Sequence, residues 1–331
     1  MNPRISVIIP CYNQARFLPD SIHSLMTQTF ADWECIIVND GSTDNTANIA
    51  EKLSQTDSRI RVINQTNRGL SGARNSGLKA ANGEILQFLD ADDMLERDKL
   101  RVQIEFLDAN HDIGIVFGDA RYFTTETPEL RDYNHNPANK TKGWIPGLWD
   151  ARGTLLEKSL SRNLFAVNCP VVRRSVFSNV GTWNEDLDAN EDWEFWIRCV
   201  AANIKMEFLN KPNTLALIRR HTTSASFNIP RMRRTAFEMR ITVGPLIKDP
   251  LLRMTNFKKG LQVLRLLKEP NILKSLVDLA FANRAPSVFL VALRFYILEI
   301  IVFQDVVNIY KTTMPWPIQK FIAKIFSIKA S

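Results

Sequence analysis

The chain of 331 residues has only four cysteines, and no two of them have the C-x-x-C spacing of a zinc ribbon. This scarcity argues against a disulfide framework and fits a reducing compartment such as the cytosol. The opening MNPRISVIIP lacks the basic segment, apolar core and cleavage site of a signal peptide, so we expect none.

Two glycine-rich nucleotide motifs are also missing. The glycines of NRGLSGARNSG do not follow the G-x-G-x-x-G pattern, and no G-x-x-x-x-G-K-[ST] occurs in the chain. The first absence disfavours a dinucleotide-binding dehydrogenase, and the second disfavours a P-loop NTPase. Hydrophobic residues make up 45% of the chain, so we expect a folded globular protein rather than a disordered one.

Positive charge is confined to the C-terminal third. Residues 1–229 contain 25 Lys and Arg against 29 Asp and Glu, whereas residues 230–331 contain 17 against 6, which gives the net charge of +7. We therefore divide the chain into an N-terminal domain, 1–229, and a basic helical region, 230–331. Basic regions bind the phosphates of lipids or of nucleic acid. Here the basic residues accompany apolar helical segments, so we expect no nucleic-acid partner.

The longest apolar stretch, residues 287–303, contains Arg294 and Glu299. Its 17 residues are at the lower limit for crossing a bilayer, and two charges make a crossing less favourable. Two alternatives remain. The segment lies in the interface of an anionic membrane, as a peripheral attachment at the cytoplasmic face, or it packs as a helical cap on the N-terminal domain.

Strand and helix patterns alternate over the first 120 residues. Short apolar, β-branched runs predict strands at residues 4–10, 34–38, 61–64 and 84–89. Amphipathic spacing predicts helices between them, at residues 15–28, 44–53 and 70–81. This order is typical of an α/β fold with a mostly parallel central sheet. Ligands bind such sheets beyond the carboxyl ends of the strands, where polar residues follow here.

The second part of the N-terminal domain is less regular. Residues 119–163 show no clear pattern and predict an irregular segment, either a substrate loop or flexible surface. A strand is expected over residues 164–171, with helices at 174–180, at 191–202 and beyond 229.

The sequence DADD, with Asp90 and Asp92, follows the last of the four predicted strands. Carboxylates this close repel one another, and Mg²⁺ or Mn²⁺ would compensate them while also binding phosphate oxygens. The alternative is a solvated turn whose aspartates cap the next helix.

Other polar residues suit a nucleotide diphosphate. Asp40 follows the neighbouring strand and can accept a hydrogen bond from a base, although it is also a common turn residue before glycine. Arg74 and Asn75 are predicted near a helix start, where a pyrophosphate can bind. Arg220 and His221 precede a Thr/Ser-rich loop and are candidates for a metal–diphosphate site.

Glu191 and Asp192 begin the predicted helix EDWEFWIRCVA. Acidic residues in a first helical turn are favoured by the helix dipole, which is one explanation. The other is that Asp192 points into the site as a general base.

Taken together, SVIIPCYN, VNDGSTDNT, NRGLSGARNSG, FLDADD, NEDWEFWIR and RRHTTSAS resemble, in this order, family 2 glycosyltransferases of the GT-A fold. The resemblance covers residues 4–226. It implies that Pro10, Tyr12 and Asp40 border the nucleotide base and that Asp90 touches the ribose.

The same resemblance implies that Asp92 holds the metal, with His221 as a further candidate ligand, and that Asp192 is the catalytic base. It predicts an inverting transferase that moves a sugar from a nucleotide-sugar donor, preferably UDP-linked, to a carbohydrate or lipid-linked acceptor. Surface polysaccharide or glycolipid synthesis is the expected setting. Two alternatives remain: a sugar-nucleotide nucleotidylyltransferase, and a non-catalytic membrane-binding module with a decayed transferase domain.

Overall fold

The computed structural model describes residues 2–129, 153–222, 224–264, 266–267 and 272–283, with the single residues 132, 145 and 149. A seven-stranded sheet lies at its centre. In spatial order its strands are β3 (Ile60–Gln65), β2 (Trp33–Asp40), β1 (Ile5–Cys11), β4 (Ile85–Phe88), β8 (Pro170–Arg173), β6 (Ile115–Phe117) and β9 (Met206–Phe208).

Most strand pairs in this sheet are parallel. The first four strands run parallel to one another, and β6 runs parallel to β9. Only β8 is antiparallel to both of its neighbours, β4 and β6. A smaller sheet has the order β5 (Met94–Leu95), β10 (Ala216–Arg219) and β7 (Ala120–Phe123). The predicted α/β fold with a mostly parallel central sheet is confirmed.

Helices pack on both faces of the large sheet. In chain order, the helices of the described residues are α1 (Leu18–Met26), α2 (Thr46–Ser54), α3 (Gly69–Ala80), α4 (Lys99–Ala109), α5 (Leu155–Ser161), α6 (Arg174–Val180), α7 (Glu191–Ala201), α8 (Ile229–Val243), α9 (Pro250–Leu264) and α10 (Ile272–Ala282), and the last three pack on other helices. Strands β1 and β2 are buried along their whole length, because apolar side chains pack on each face of them. Trp196, on α7, is fully buried in this core.

Two predictions about the second part of the domain are wrong. Residues 119–163 are not irregular throughout, since they contain β7 and α5. Strand β7 pairs with β10, nearly a hundred residues later, and such a partner cannot be seen in a local pattern. Helix α5 begins with a capping box in which Thr154 and Glu157 bind each other's backbone N–H groups. The strand expected over 164–171 begins only at Pro170.

The described part of the basic region packs on the rest of the protein. Met239 and Val243 of α8 join Leu160 of α5 and Ile197 of α7 in one apolar cluster. A second cluster holds α8, α9 and α10 together. Within the described residues, no helix is long and apolar enough to cross a membrane. Residues 287–303 lie outside that part of the chain, and the division at residue 229 stays a prediction.

Candidate active site

The acidic motifs meet at the carboxyl edge of the large sheet. Strand β2 ends at Asp40, and β4 ends two residues before Asp90. Leu89 donates its backbone N–H to Ile8 of β1, so the DADD sequence leaves the sheet beside the end of β1. The predicted position of these residues, beyond the carboxyl ends of parallel strands, is the one observed.

A buried arginine joins two of these acidic motifs. The guanidinium of Arg74 lies 2.8 Å from Oδ1 of Asp90 and 2.5 Å from Oε1 of Glu191, and its side chain is only 1% exposed. Burial raises the pKa of Asp90, and the charge of Arg74 opposes that effect. Arg74 therefore fixes the start of α7 against the metal-binding motif that the sequence predicted.

Arg74 itself is in the middle of α3 rather than in its first turn. Both observed partners of its guanidinium are carboxylates, so its predicted contact with a pyrophosphate stays a prediction. Asn75 is similarly engaged, because its Nδ2 donates to the Trp183 carbonyl and to Glu185 at 2.9 Å each. Its Oδ1 accepts the backbone N–H of Trp183, so the amide holds the chain that precedes α7.

Asp92 and His221 are brought together from distant parts of the chain. Nε2 of His221 lies 2.8 Å from Oδ2 of Asp92, and both side chains are partly exposed, at 13% and 19%. The ring of His221 packs against Phe17, with 4.6 Å between the ring centroids. Among the described residues, no group of three or more His, Cys, Asp or Glu could hold a metal ion.

Arg219 is a residue of this site to which the sequence analysis assigned no role of its own. Its Nε donates to the Asp92 carbonyl at 2.8 Å, and its backbone N–H donates to Oδ1 of Asp93 at 2.7 Å. The guanidinium also binds Asp20 and Thr125. Arg219 is buried, whereas Arg220 forms an ion pair with Asp132. The sequence RRH gives no signal for this difference, and the donor-binding role of Arg220 stays a prediction.

The residues that the sequence predicts to border the base lie at the ends of β1 and β2. Oδ1 of Asp40 accepts hydrogen bonds from Gln65 (2.6 Å) and from the backbone N–H of Arg68 (2.9 Å). Its Oδ2 has no hydrogen-bond partner among the residues that the structure describes. Pro10 is buried opposite Val38, and the side chain of Tyr12 is 48% exposed just beyond the strand. Asp40 is therefore held through Oδ1, and its contact with a base stays a prediction.

The two acidic residues that begin α7 have different environments. Glu191 is bound to Arg74, whereas Oδ2 of Asp192 accepts a hydrogen bond of 2.9 Å from the neutral amide of Asn163. Burial, and next the charge of Glu191, raise the pKa of Asp192 to about 7. A carboxyl group that titrates near neutrality is suited to take up a proton.

Comparison with known proteins shows which family the chain belongs to. Residues 6–181, more than half of the chain, match the family described as Glycosyl transferase family 2. The chain belongs to this family. EpsJ of Bacillus subtilis (strain 168), an uncharacterized glycosyltransferase, is 50% identical over 93 residues, which are 28% of this chain and 27% of EpsJ.

TuaG of the same organism, whose name refers to teichuronic acid biosynthesis, is 42% identical over 106 residues. These residues are 32% of this chain and 42% of TuaG. The chain therefore spans less than half of the length of the curated relatives that it matches. The family assignment decides against a nucleotidylyltransferase.

Two solved structures share the fold. One is S. aureus TarS 1–349 in complex with UDP-GlcNAc, with a TM-score of 0.64 at 18% identity over 85% of this chain and 81% of that one. The other is the mannosyltransferase PcManGT from Pyrobaculum calidifontis in complex with GDP-Man and Mn²⁺, with a TM-score of 0.55 at 17% identity over 90% and 88%. The likeness therefore extends beyond the region that matches the family.

The buried ion pairs of Arg74 lead to a first prediction. Arg74→Met leaves Asp90 and Glu191 without a counter-charge, so we expect the free energy of unfolding to fall by about 3–5 kcal/mol. Urea unfolding measures this loss. Arg68→Met is the matched control, because its ion pair with Glu185 is exposed and contributes about 1 kcal/mol or less. Equal unfolding midpoints for the two variants would show that Arg74 does not hold the site together.

Proposed function

We propose that the protein is an inverting, metal-dependent glycosyltransferase of the GT-A type that uses a UDP-sugar donor. Its acceptor is a carbohydrate or lipid-linked hydroxyl, in surface polysaccharide or glycolipid synthesis. The observation that carries the proposal is the bridge from Asp90 through Arg74 to Glu191, which sets Asp192 beside the DADD sequence. The retention of Asp40, Asp90, Asp92 and Asp192 together argues against a decayed transferase domain, which could lose any one of them without cost.

Donor recognition starts at Asp40. Its Oδ2 is available to accept the N3–H of uracil, while the Oδ1 contacts with Gln65 and Arg68 fix the carboxylate. Thymine offers the same N3–H group, so turnover with a panel of UDP-, dTDP- and GDP-sugars identifies the base. TarS was crystallised with UDP-GlcNAc and PcManGT with GDP-Man, which supports a nucleotide-sugar donor here.

Asp92 and His221 would hold the divalent cation. The two side chains meet at 2.8 Å, and the carboxylate oxygen of Asp92 is the kind of ligand that Mg²⁺ and Mn²⁺ prefer, as are the phosphate oxygens of a donor. When bound, the cation offsets the negative charge that develops on the leaving nucleoside diphosphate.

The transfer itself is one displacement. Asp192 takes the proton of the acceptor hydroxyl, and the hydroxyl oxygen attacks the anomeric carbon from the face opposite the diphosphate. The bond from this carbon to the diphosphate breaks, and its electron pair leaves with the diphosphate. One such attack inverts the configuration.

We expect Asp92→Asn to abolish the metal dependence of donor binding, because it removes the charged ligand of the pair. Calorimetry of UDP binding with and without Mn²⁺ measures this effect. Asp112→Asn, an exposed aspartate paired with Lys205, is the matched control and should behave as the wild type. Metal-dependent affinity that persists in Asp92→Asn would remove Asp92 from the metal site.

Asp192→Asn should lower turnover by about 10²–10⁴-fold and leave UDP affinity nearly unchanged, as expected for loss of a general base. In the wild type the base must be ionised, so turnover should fall as the pH is lowered through about 7. The variant should lack this dependence, and Asp278→Asn, exposed on α10, should retain it. Near-normal turnover in Asp192→Asn would transfer the role of base to Glu191.

Peripheral attachment to an anionic cytoplasmic membrane face is part of the proposal, and it rests on the charge of residues 230–331. Each Lys or Arg near such a surface contributes on the order of 1 kcal/mol. Changing Lys320, Lys324 and Lys329 to Gln should therefore weaken binding to anionic liposomes about 100-fold.

Flotation of the full chain with liposomes of graded anionic content, at low and high salt, measures this binding. The matched control neutralises three exposed lysines of the N-terminal part: Lys52, Lys79 and Lys205. Equal flotation of both triple variants, or no flotation of the wild type, would contradict the proposed attachment.

A further inference from the structure

Asn163 follows α5 and reaches the proposed catalytic base across 29 positions of sequence. Its Nδ2 donates to Oδ2 of Asp192 at 2.9 Å. The other oxygen of Asp192, Oδ1, accepts the backbone N–H of Trp193 at 2.7 Å. An ionised carboxylate is only an acceptor, so the nitrogen end of the amide is the end that faces it. The two hydrogen bonds hold the carboxylate from opposite ends.

The backbone before Asn163 is anchored to α7 and to the C-terminal helices. Nε1 of Trp193 donates to the Ser159 carbonyl at 2.6 Å, and Arg240 of α8 donates to the Leu160 carbonyl at 3.0 Å. The guanidinium of Arg240 also lies 5.2 Å from the centre of the Trp193 ring. The end of α5 is therefore fixed relative to the residue that follows Asp192, and Asn163 is held at a defined distance from it.

The oxygen of the Asn163 amide differs from its nitrogen in having no observed partner among the described residues. This oxygen, Oδ1, is buried. Leaving a buried acceptor unsatisfied is unfavourable for stability. Among the described residues, the bond to Asp192 is the one side-chain hydrogen bond of Asn163, so the amide is engaged through its nitrogen.

We propose that Asn163 is a positioning residue, which holds the carboxylate of Asp192 in the orientation from which it takes the proton of the acceptor hydroxyl. This inference rests on the proposed function of Asp192 as the base. Asn163 lies outside every motif that carries the family resemblance, and it precedes Asp192 by 29 positions in the sequence.

Four groups act on the charge of Asp192. Glu191, on the same helix, disfavours the ionised form, whereas Arg74 from α3, the amide of Asn163 and the backbone N–H of Trp193 favour it. Removing the amide donor leaves the repulsion by Glu191 and the effect of burial less opposed. The pKa of Asp192 should then rise, and the pH dependence of turnover should move with it.

Two substitutions test the proposal in the full-length protein. Asn163→Ala removes the donor, and Asn163→Asp keeps the shape of the side chain but places a second carboxylate beside the first. We expect the acidic limb of the kcat/KM profile to move upward by about 1 pH unit or more in both variants. Turnover at pH 7 should fall about 10-fold, and the affinity for UDP should stay within about twofold of the wild type.

Asn48→Ala, an exposed asparagine on α2, is the matched control and should retain the wild-type profile. The titration of Asp192 is also measured in the absence of a sugar donor, by NMR of proteins labelled at the aspartate carboxyl carbons. Asp192→Asn identifies the resonance, which should titrate at higher pH in both Asn163 variants.

The outcomes separate this inference from the proposed function. If Asp192→Asn keeps its turnover, the base is elsewhere and the proposed mechanism fails. If Asp192→Asn is inactive but Asn163→Ala has the wild-type pH profile and carboxyl titration, the mechanism stands and the positioning role is overturned. Asn163→Ala decides between the two roles because it removes the donor without adding a charge, whereas the second carboxylate of Asn163→Asp raises the pKa of Asp192 by repulsion in either case.

Discussion

The arrangement of the site depends on one buried cation, the guanidinium of Arg74. It lies between Asp90, which follows β4, and Glu191, which begins α7 more than a hundred residues later. Without a counter-charge, the buried Glu191 and the partly exposed Asp90 would repel each other, and burial of an unpaired charge is costly in a protein interior. Arg74 therefore holds the start of α7 against the residues that follow β4. Asp192 is the second residue of α7, so it also lies near the ends of the strands.

The same ion pair separates the roles of two adjacent acidic residues. Successive residues of a helix point in directions about 100° apart, so Glu191 and Asp192 cannot share one environment. Glu191 faces the charged Arg74, and Asp192 faces the neutral amide of Asn163. Among the described residues Asp192 has no cationic hydrogen-bond partner, and burial raises its pKa to about 7.

Much of the fold could be predicted from the sequence because the determining patterns are local. The β-branched runs of β1 and β2 and the polar residues that follow each strand lie within short windows. The pairing of β7 with β10 could not be predicted, because each strand acquires its role only from the other. Arg219 and Arg220 show the same limit at single residues. Both arginines belong to one short motif. In the tertiary structure the backbone N–H of the buried Arg219 donates to Asp93, whereas the guanidinium of Arg220 forms an ion pair with Asp132.

The three aspartates of the DADD sequence show how their surroundings assign different tasks to identical side chains. The negative charge of Asp90 is offset by its ion pair with Arg74. Asp93 is buried, and it accepts hydrogen bonds from Asn168 and from the backbone N–H of Arg219. Burial, and next the charges of Asp92 and Asp90, raise the pKa of Asp93 well above its usual range. Asp92 remains partly exposed, with an imidazole as its side-chain partner. A cation beside Asp92 would offset one of the charges that raise the pKa of Asp93, and there we place the cation of the proposed mechanism.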